Sequence, residues 1–131
     1  MFPKEIEMIL ARQLASSLAT PVFLVDPAGT LIFYNEEAEG MLGRRFEESG
    51  EMALTEWLAI FEPTDQEGHP LRPETLPVSV ALAEKRPSVC RCWVHGQDDE
   101  RLELEVIAFP LMGQADRYLG VITLLWGVGR P

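Results

Sequence analysis

A chain of 131 residues, 47% hydrophobic and 24% charged, has the composition of one soluble globular domain large enough to bury a real core. Its ten Gly and ten Pro are scattered, which excludes a disordered or collagen-like chain. With 11 Lys+Arg against 21 Asp+Glu the formal charge is −10, which repels phosphate backbones and anionic lipid; neither nucleic acid nor a membrane surface is an expected partner. No apolar run approaches the ~18 residues of a spanning helix. Acidic residues interrupt the start of the chain, so it does not read as a signal peptide, and the expected location is cytoplasmic.

Phe2, Ile6, Ile9, Leu10, Leu14 and Leu18 recur at helical spacing, with Lys4, Glu5, Glu7 and Arg12 on the other side, so residues 3–18 read as an amphipathic helix. Thr20-Pro21 ends it, because the residue before proline is driven out of the helical region. Residues 22–25 and 31–34 have strand character around the turn Asp26-Pro27-Ala28-Gly29 and form a hairpin. Asn35 has N-cap chemistry, with Glu36 and Glu37 favourably placed against the helix dipole, and opens a short helix that ends near Leu42-Gly43. A second short helix covers residues 53–61, with Leu54, Trp57, Leu58 and Phe61 on one face. Residues 62–73 are a polar loop punctuated by Gly and Pro, and residues 74–85 form a third helix with Leu76, Val80 and Ala83 in period. Beyond Arg86-Pro87 come strands at 89–94, 101–106 and 118–126. The acidic turn at 97–100 joins the first two, and residues 101–106 alternate as a half-buried antiparallel strand does. The order is helix, two strands, three short helices, three strands, an α+β chain with no repeat and no internal boundary.

Several of these segments together resemble the PAS domain family. Pro21, the Asp26-to-Gly29 turn, Asn35 and Ala38 are similar to the family's opening hairpin and first small helix, and Leu42-Gly43 to the pair that closes that helix. Gly68-His69-Pro70-Leu71, Leu76-Pro77 and Ala81-Leu82 resemble its middle loop and longest helix; Pro110-Leu111 and Gly120-Val121-Ile122 resemble its last two strands. The resemblance spans about residues 20–126. It implies a five-stranded antiparallel sheet with short helices on one face, enclosing a small-molecule pocket, and a sensory or interaction role in signal transduction. Residues 1–19 would then be an amphipathic helix for dimerisation or coupling and residues 20–128 the sensor domain. Where the family commonly runs into an Asp-Ile/Val-Thr triplet leading to an effector, this chain has Gly127-Val128-Gly129. Since Met1 is a natural start, a stand-alone sensor or partner subunit is expected, with a fragment of a longer signalling protein as the other reading.

No catalytic constellation is visible. Ser16, Ser17, Ser49, Ser79 and Ser88 lack a nucleophile elbow, His69 and His95 lie in separate polar stretches, and Glu103 and Glu105 share a strand face that alternation places in solvent. Cys90 and Cys92 fall on one strand face roughly 6.5–7 Å apart, at or past disulfide reach, and read as two small buried thiols. No metal-ligand spacing accompanies them. The resemblance implies further tests. Haem-binding members present a His from the longest helix, and residues 74–85 have none; blue-light members need a Cys within residues 52–61 or in the following loop, and neither has one. Haem and covalent flavin are therefore set aside, and no motif supports a non-covalent flavin.

What remains is a pocket for a non-covalent hydrophobic ligand. Its expected lining is Leu31 and Phe33 from the hairpin, Leu42, Trp57, Leu58, Leu76 and Val80 from the helices, and Cys90, Cys92, Leu104, Val106, Ile122 and Leu124 from the later strands. Such walls suit a fatty acid better than a dicarboxylate, whose charges would need paired cations. The same residues also make a filled core without ligand, which would leave a structural adaptor binding other proteins. On the opposite sheet face Trp93, Ile107 and Phe109 would emerge, to be covered by Ile6, Ile9, Leu10 and Leu14. That helix either crosses to a second subunit, forming a homodimer, or folds back onto its own sheet.

Overall fold

The computed structural model describes residues 4–43, 45–95 and 101–127, with the side chains of residues 4–6 and 42 outside the described part. The acidic turn expected at 97–100 and the segment after Gly127 also lie outside it. Helix α1 (Lys4–Ser17) leads into the hairpin β1 (Val22–Val25) and β2 (Thr30–Tyr34), then α2 (Glu36–Leu42), α3 (Phe46–Ser49), β3 (Met52–Ala53) and α4 (Leu54–Phe61). Helix α5 (Pro77–Glu84) precedes three long strands, β4 (Ser88–His95), β5 (Arg101–Met112) and β6 (Tyr118–Gly127). The strands form one antiparallel sheet in the order β3-β2-β1-β6-β5-β4. Among the described residues the sheet has six strands, one more than the sequence reading, because Met52 and Ala53 pair with Leu31 and Thr30 before the chain turns into α4. The third expected helix is also shorter. Leu76 precedes Pro77 and takes an extended backbone, which separates a turn of 3-10 helix (Pro73–Thr75) from α5.

Local chemistry sets the turns. Asp26 Oδ1 accepts hydrogen bonds from the Ala28 and Thr30 amides, and Gly29 takes the left-handed conformation the turn requires. Gly120 is demanded by packing: a Cβ there would lie 2.1 Å from the Val25 carbonyl oxygen, where β6 crosses closest to β1.

The sheet separates two cores. On the inner face, α2 to α5 cover Phe23, Val25, Leu31, Tyr34, Val106 and Val121 with their neighbours. Phe23 is central, its ring 4.7 Å from Trp57 and 5.8 Å from both Tyr34 and Phe61. On the outer face, α1 lays Met8, Ala11, Ala15 and Leu18 over Val22, Leu24 and Ile122. In the single chain, α1 lies on its own sheet.

Asn35 joins these layers. Its side chain is 2% exposed. Oδ1 accepts from the Ala38 amide, capping α2, and from the Val22 amide at the start of β1. Nδ2 donates to the carbonyls of Ala15, at the end of α1, and of Leu18 and Thr20 in the connection that follows. One amide thus satisfies polar groups of three backbone segments. Asn35→Ala should destabilise the fold by about 3 kcal/mol, from the lost cap and the stranded backbone groups. Asn35→Asp should be no better, because it faces the three carbonyls with an acceptor. Urea unfolding followed by sheet circular dichroism checks both; a midpoint unchanged in Asn35→Asp would contradict the donor role of Nδ2.

Candidate functional site

The inner core is not completely filled. A cavity of about 40 Å³ lies between α4, α5 and the inner face of β4 to β6, bounded by Trp57, Leu58 and Phe61 on the helix side and by Cys92, Val106 and Leu125 on the sheet side. Its walls are apolar. Two residues that line it, Trp57 and Thr123, have their Nε1 and Oγ1 atoms buried without a hydrogen-bond partner. An open groove of about 400 Å³ runs outside it along α4 and the 62–73 loop, and Leu58, Pro63 and Leu76 belong to both linings. Those three side chains are the wall between groove and cavity.

Of the residues expected to line a pocket, Trp57, Leu58, Leu76, Cys92 and Val106 border the cavity. Leu31, Cys90 and Leu104 belong to the surrounding inner core, Val80 is half-buried on α5, and the Leu42 side chain lies outside the described part. Phe33, Ile122 and Leu124 are corrections, since all three face outward beneath α1. In β2 the register with β1 slips, so that Leu24 pairs with Phe33 and Val25 with Leu31; Ile32 is an extra residue, and it turns Phe33 away from Leu31's face. In β6 an almost unbroken apolar run carries no phase of its own. Its partners supply the phase: Phe23 and Ala108 oppose Thr123 on the inner face, while Leu24 and Phe109 oppose Ile122 on the outer. The threonine hydroxyl of that run therefore points into the core, and Thr123 and Leu125 were not readable as lining residues. Val94 was, as the next alternate position after Cys90 and Cys92.

The outer face is a second candidate surface. Ile9, Leu10 and Leu14 were expected to cover the sheet, yet they are 53%, 57% and 60% exposed. The small residues Ala11 and Ala15 face the sheet instead and let the helix backbone approach it closely. Phe109 is packed under α1. Ile107 is half-buried in the row Val89-Ile107-Leu124-Val22. Trp93 is half-buried too, bridged to Thr64 along the sheet edge, with the Arg101 guanidinium 5.5 Å from its ring. The Ile6 side chain lies outside the described part. Beside this surface Arg91 bridges Glu103 and Glu105, and Trp126 Nε1 donates to Glu105, so these carboxylates face outward as expected.

Solved PAS and LOV domain structures share this arrangement. The chain superposes on a Rhodobacter sphaeroides LOV protein with a TM-score of 0.70 at 19% identity, covering 98% of this chain and 70% of that one. It superposes on the PAS domain of Bordetella pertussis BvgS at 0.65 and 13% identity, covering 95% and 87%. For the PAS domain of nitrogen regulation protein NR(II) from Vibrio parahaemolyticus the values are 0.62 and 16%, covering 91% and 98%. The chain has the PAS fold. No family model and no curated protein matches its sequence.

At about 40 Å³ the inner cavity is well below the roughly 300 Å³ at which small-molecule sites begin. The two cysteines stand on β4 rather than on α4. Their thiols interact. The Cys92 S–H, hydrogen-bonded to Cys90 and buried, is held protonated well above its usual range, and that same hydrogen bond lowers the half-buried Cys90. Cys90 is thus the more acidic and more accessible of the pair. Iodoacetamide applied to the native protein at pH 8 should modify Cys90 before Cys92, as read by peptide mass spectrometry; equal labelling would contradict this order.

At the tip of the 62–73 loop, Asp65, Glu67 and His69 bring two carboxylates and an imidazole within 4.8 Å of one another. The group is organised around Asp65, whose Oδ1 accepts from the Glu67 and His69 amides. The His69 backbone N–H, foremost, holds the Asp65 carboxyl below its ordinary value of 3.8. The folded-state value is depressed, so the loop's stabilisation is complete above 3.8 and is lost as pH falls through the lower folded value. The Asp65 side-chain carboxyl resonance should titrate with a midpoint below 3.8 in carbon-detected NMR; a midpoint at or above 3.8 would contradict the assigned hydrogen bonds.

Proposed function

We propose that this chain is a PAS-type sensory or interaction module of signal transduction, non-catalytic and cytoplasmic, that forms a homodimer through α1. The observation that carries the reading is the stripe Ile9, Leu10 and Leu14, each more than half exposed on a helix whose other side is already docked. Adjacent apolar side chains of this size on a fixed helix favour a protein partner, and a second copy of the same stripe is self-complementary about a two-fold axis. The formal charge of −10 argues against nucleic acid in that role. Glu103 and Glu105 are engaged by Arg91 on the outer face, which does not favour a catalytic use of them.

The input of such a module would be occupancy of the inner cavity by a small apolar molecule. At about 40 Å³ the cavity takes a few waters or a very small solute, and a longer hydrophobic ligand requires Leu58 and Leu76 to move toward the groove. The same small volume favours the second reading, a ligand-free adaptor whose core is nearly closed.

Sedimentation equilibrium and native mass spectrometry on protein purified without refolding test both parts. The wild type should be a dimer, and Leu14→Glu a monomer with an unchanged circular dichroism spectrum. A dimer with extra non-covalent mass supports the sensor, and a dimer of bare chains supports the adaptor. A monomeric wild type overturns the association reading.

A further inference from the structure

Helix α1 is fastened at its two ends by devices of different kinds. At the C-terminal end, Ala15 is fully buried and its carbonyl is held by Asn35. Toward the other end the attachment is Glu7. Its side chain is 13% exposed and reaches the turn between β5 and β6, more than a hundred residues away. Glu7 Oε2 accepts from the Gln114 amide at 2.8 Å, and Glu7 Oε1 pairs with the Arg117 guanidinium.

The turn is shaped around that carboxylate. A Cβ on Gly113 would fall 2.1 Å from Glu7 Oε2 and 2.8 Å from Oε1, so a side chain here would push the carboxylate out of its present position. Ala115 and Asp116 both take left-handed backbone, at φ 56° and 57°, a conformation costly for residues with a Cβ and rare in succession. The turn closes through the Gly113 amide on the Arg117 carbonyl and the Arg117 amide on the Gln114 carbonyl. Glu7 therefore clips α1 onto a strained turn.

We infer that Glu7 is a releasable latch. It holds the first half of α1 against the β5–β6 turn, and the helix swings on the Asn35 hub when the latch opens. The asymmetry follows from the contacts. The hub is a buried neutral amide with five backbone hydrogen bonds. The latch is a single carboxylate at the edge of the domain, and both of its contacts are to one turn. Among the described side chains between the two, Met8 and Ala11 face the sheet and are only half-buried, and none is deeply buried before Ala15. The motion would carry Ile9 and Leu10 farther than Leu14. As a device regulating the proposed association surface, the latch rests on that reading for its consequence, though not for its existence.

Hydrogen exchange with mass-spectrometric readout on the full chain tests it. Glu7→Gln removes the charge. Gly113→Ala keeps both charges, accepts the local backbone (φ −97°) and displaces the carboxylate with a methyl group. In both variants residues 4–11 should exchange about ten-fold faster or more, while residues 15–18 and strands β1 and β6 keep wild-type protection. Unchanged exchange at 4–11 in Glu7→Gln, or an equal rise along the whole helix, overturns the inference. If Gly113→Ala also loses protection in β6 it has unfolded, and Glu7→Gln alone decides. Sedimentation of the same samples separates the two readings: faster exchange at 4–11 in a monomeric chain keeps the latch and removes the dimer.

Discussion

The Asn35 side chain is the constraint on which the rest of this molecule depends. Three backbone segments converge where α1 ends, β1 begins and α2 starts, and each leaves polar groups that water cannot reach. A primary amide is the one side chain with two donors and a two-fold acceptor in a single rigid plane, so it can satisfy all three at once. A hydroxyl lacks the donors, and a carboxylate would oppose the carbonyls. Because the hub ties the outer helix to the inner helices through the first strand, it holds the two faces of the sheet in register with each other.

The sheet then acts as a partition with different contents on its two sides. The inner side is an aromatic core around Phe23, with a small residual cavity next to the two unpartnered polar atoms of Trp57 and Thr123. Such atoms are uncommon in a settled interior, and they mark the part of the core with the least to lose by rearranging. The outer side carries a helix seated on alanines, whose larger apolar residues turn away from the domain. Two elements connect the inner face to that helix, β1 through the Asn35 hub and the β5–β6 hairpin through the turn that holds Glu7. The proposed sensing and association roles are joined by these elements.

What the sequence determined by itself was local. Asp26 with Gly29 specifies a turn, Asn35 before two glutamates specifies a helix start, and the alternation of Arg101 to Val106 specifies which side of β5 is buried, because each is decided by chemistry within a few residues. Together they made the fold legible, and with it the inward placement of Cys90, Cys92, Leu104 and Val106. Asn35 was readable as a cap but not as a hub, since its other partners lie up to 20 residues away. The faces of Phe33, Ile122 and Leu124 were decided only in the tertiary structure. A bulge at Ile32 and a strand apolar on both sides leave the phase to neighbouring strands, and pairing energy, not periodicity, selects it. So too with α1. Apolar residues occur nearly all round that helix, and the sheet's need for close approach chose the side with Ala11 and Ala15, turning Ile9, Leu10 and Leu14 to the outside. The contact between Glu7 and Arg117 had no local signal at all, because it spans 110 residues and exists only once α1 lies across the last hairpin.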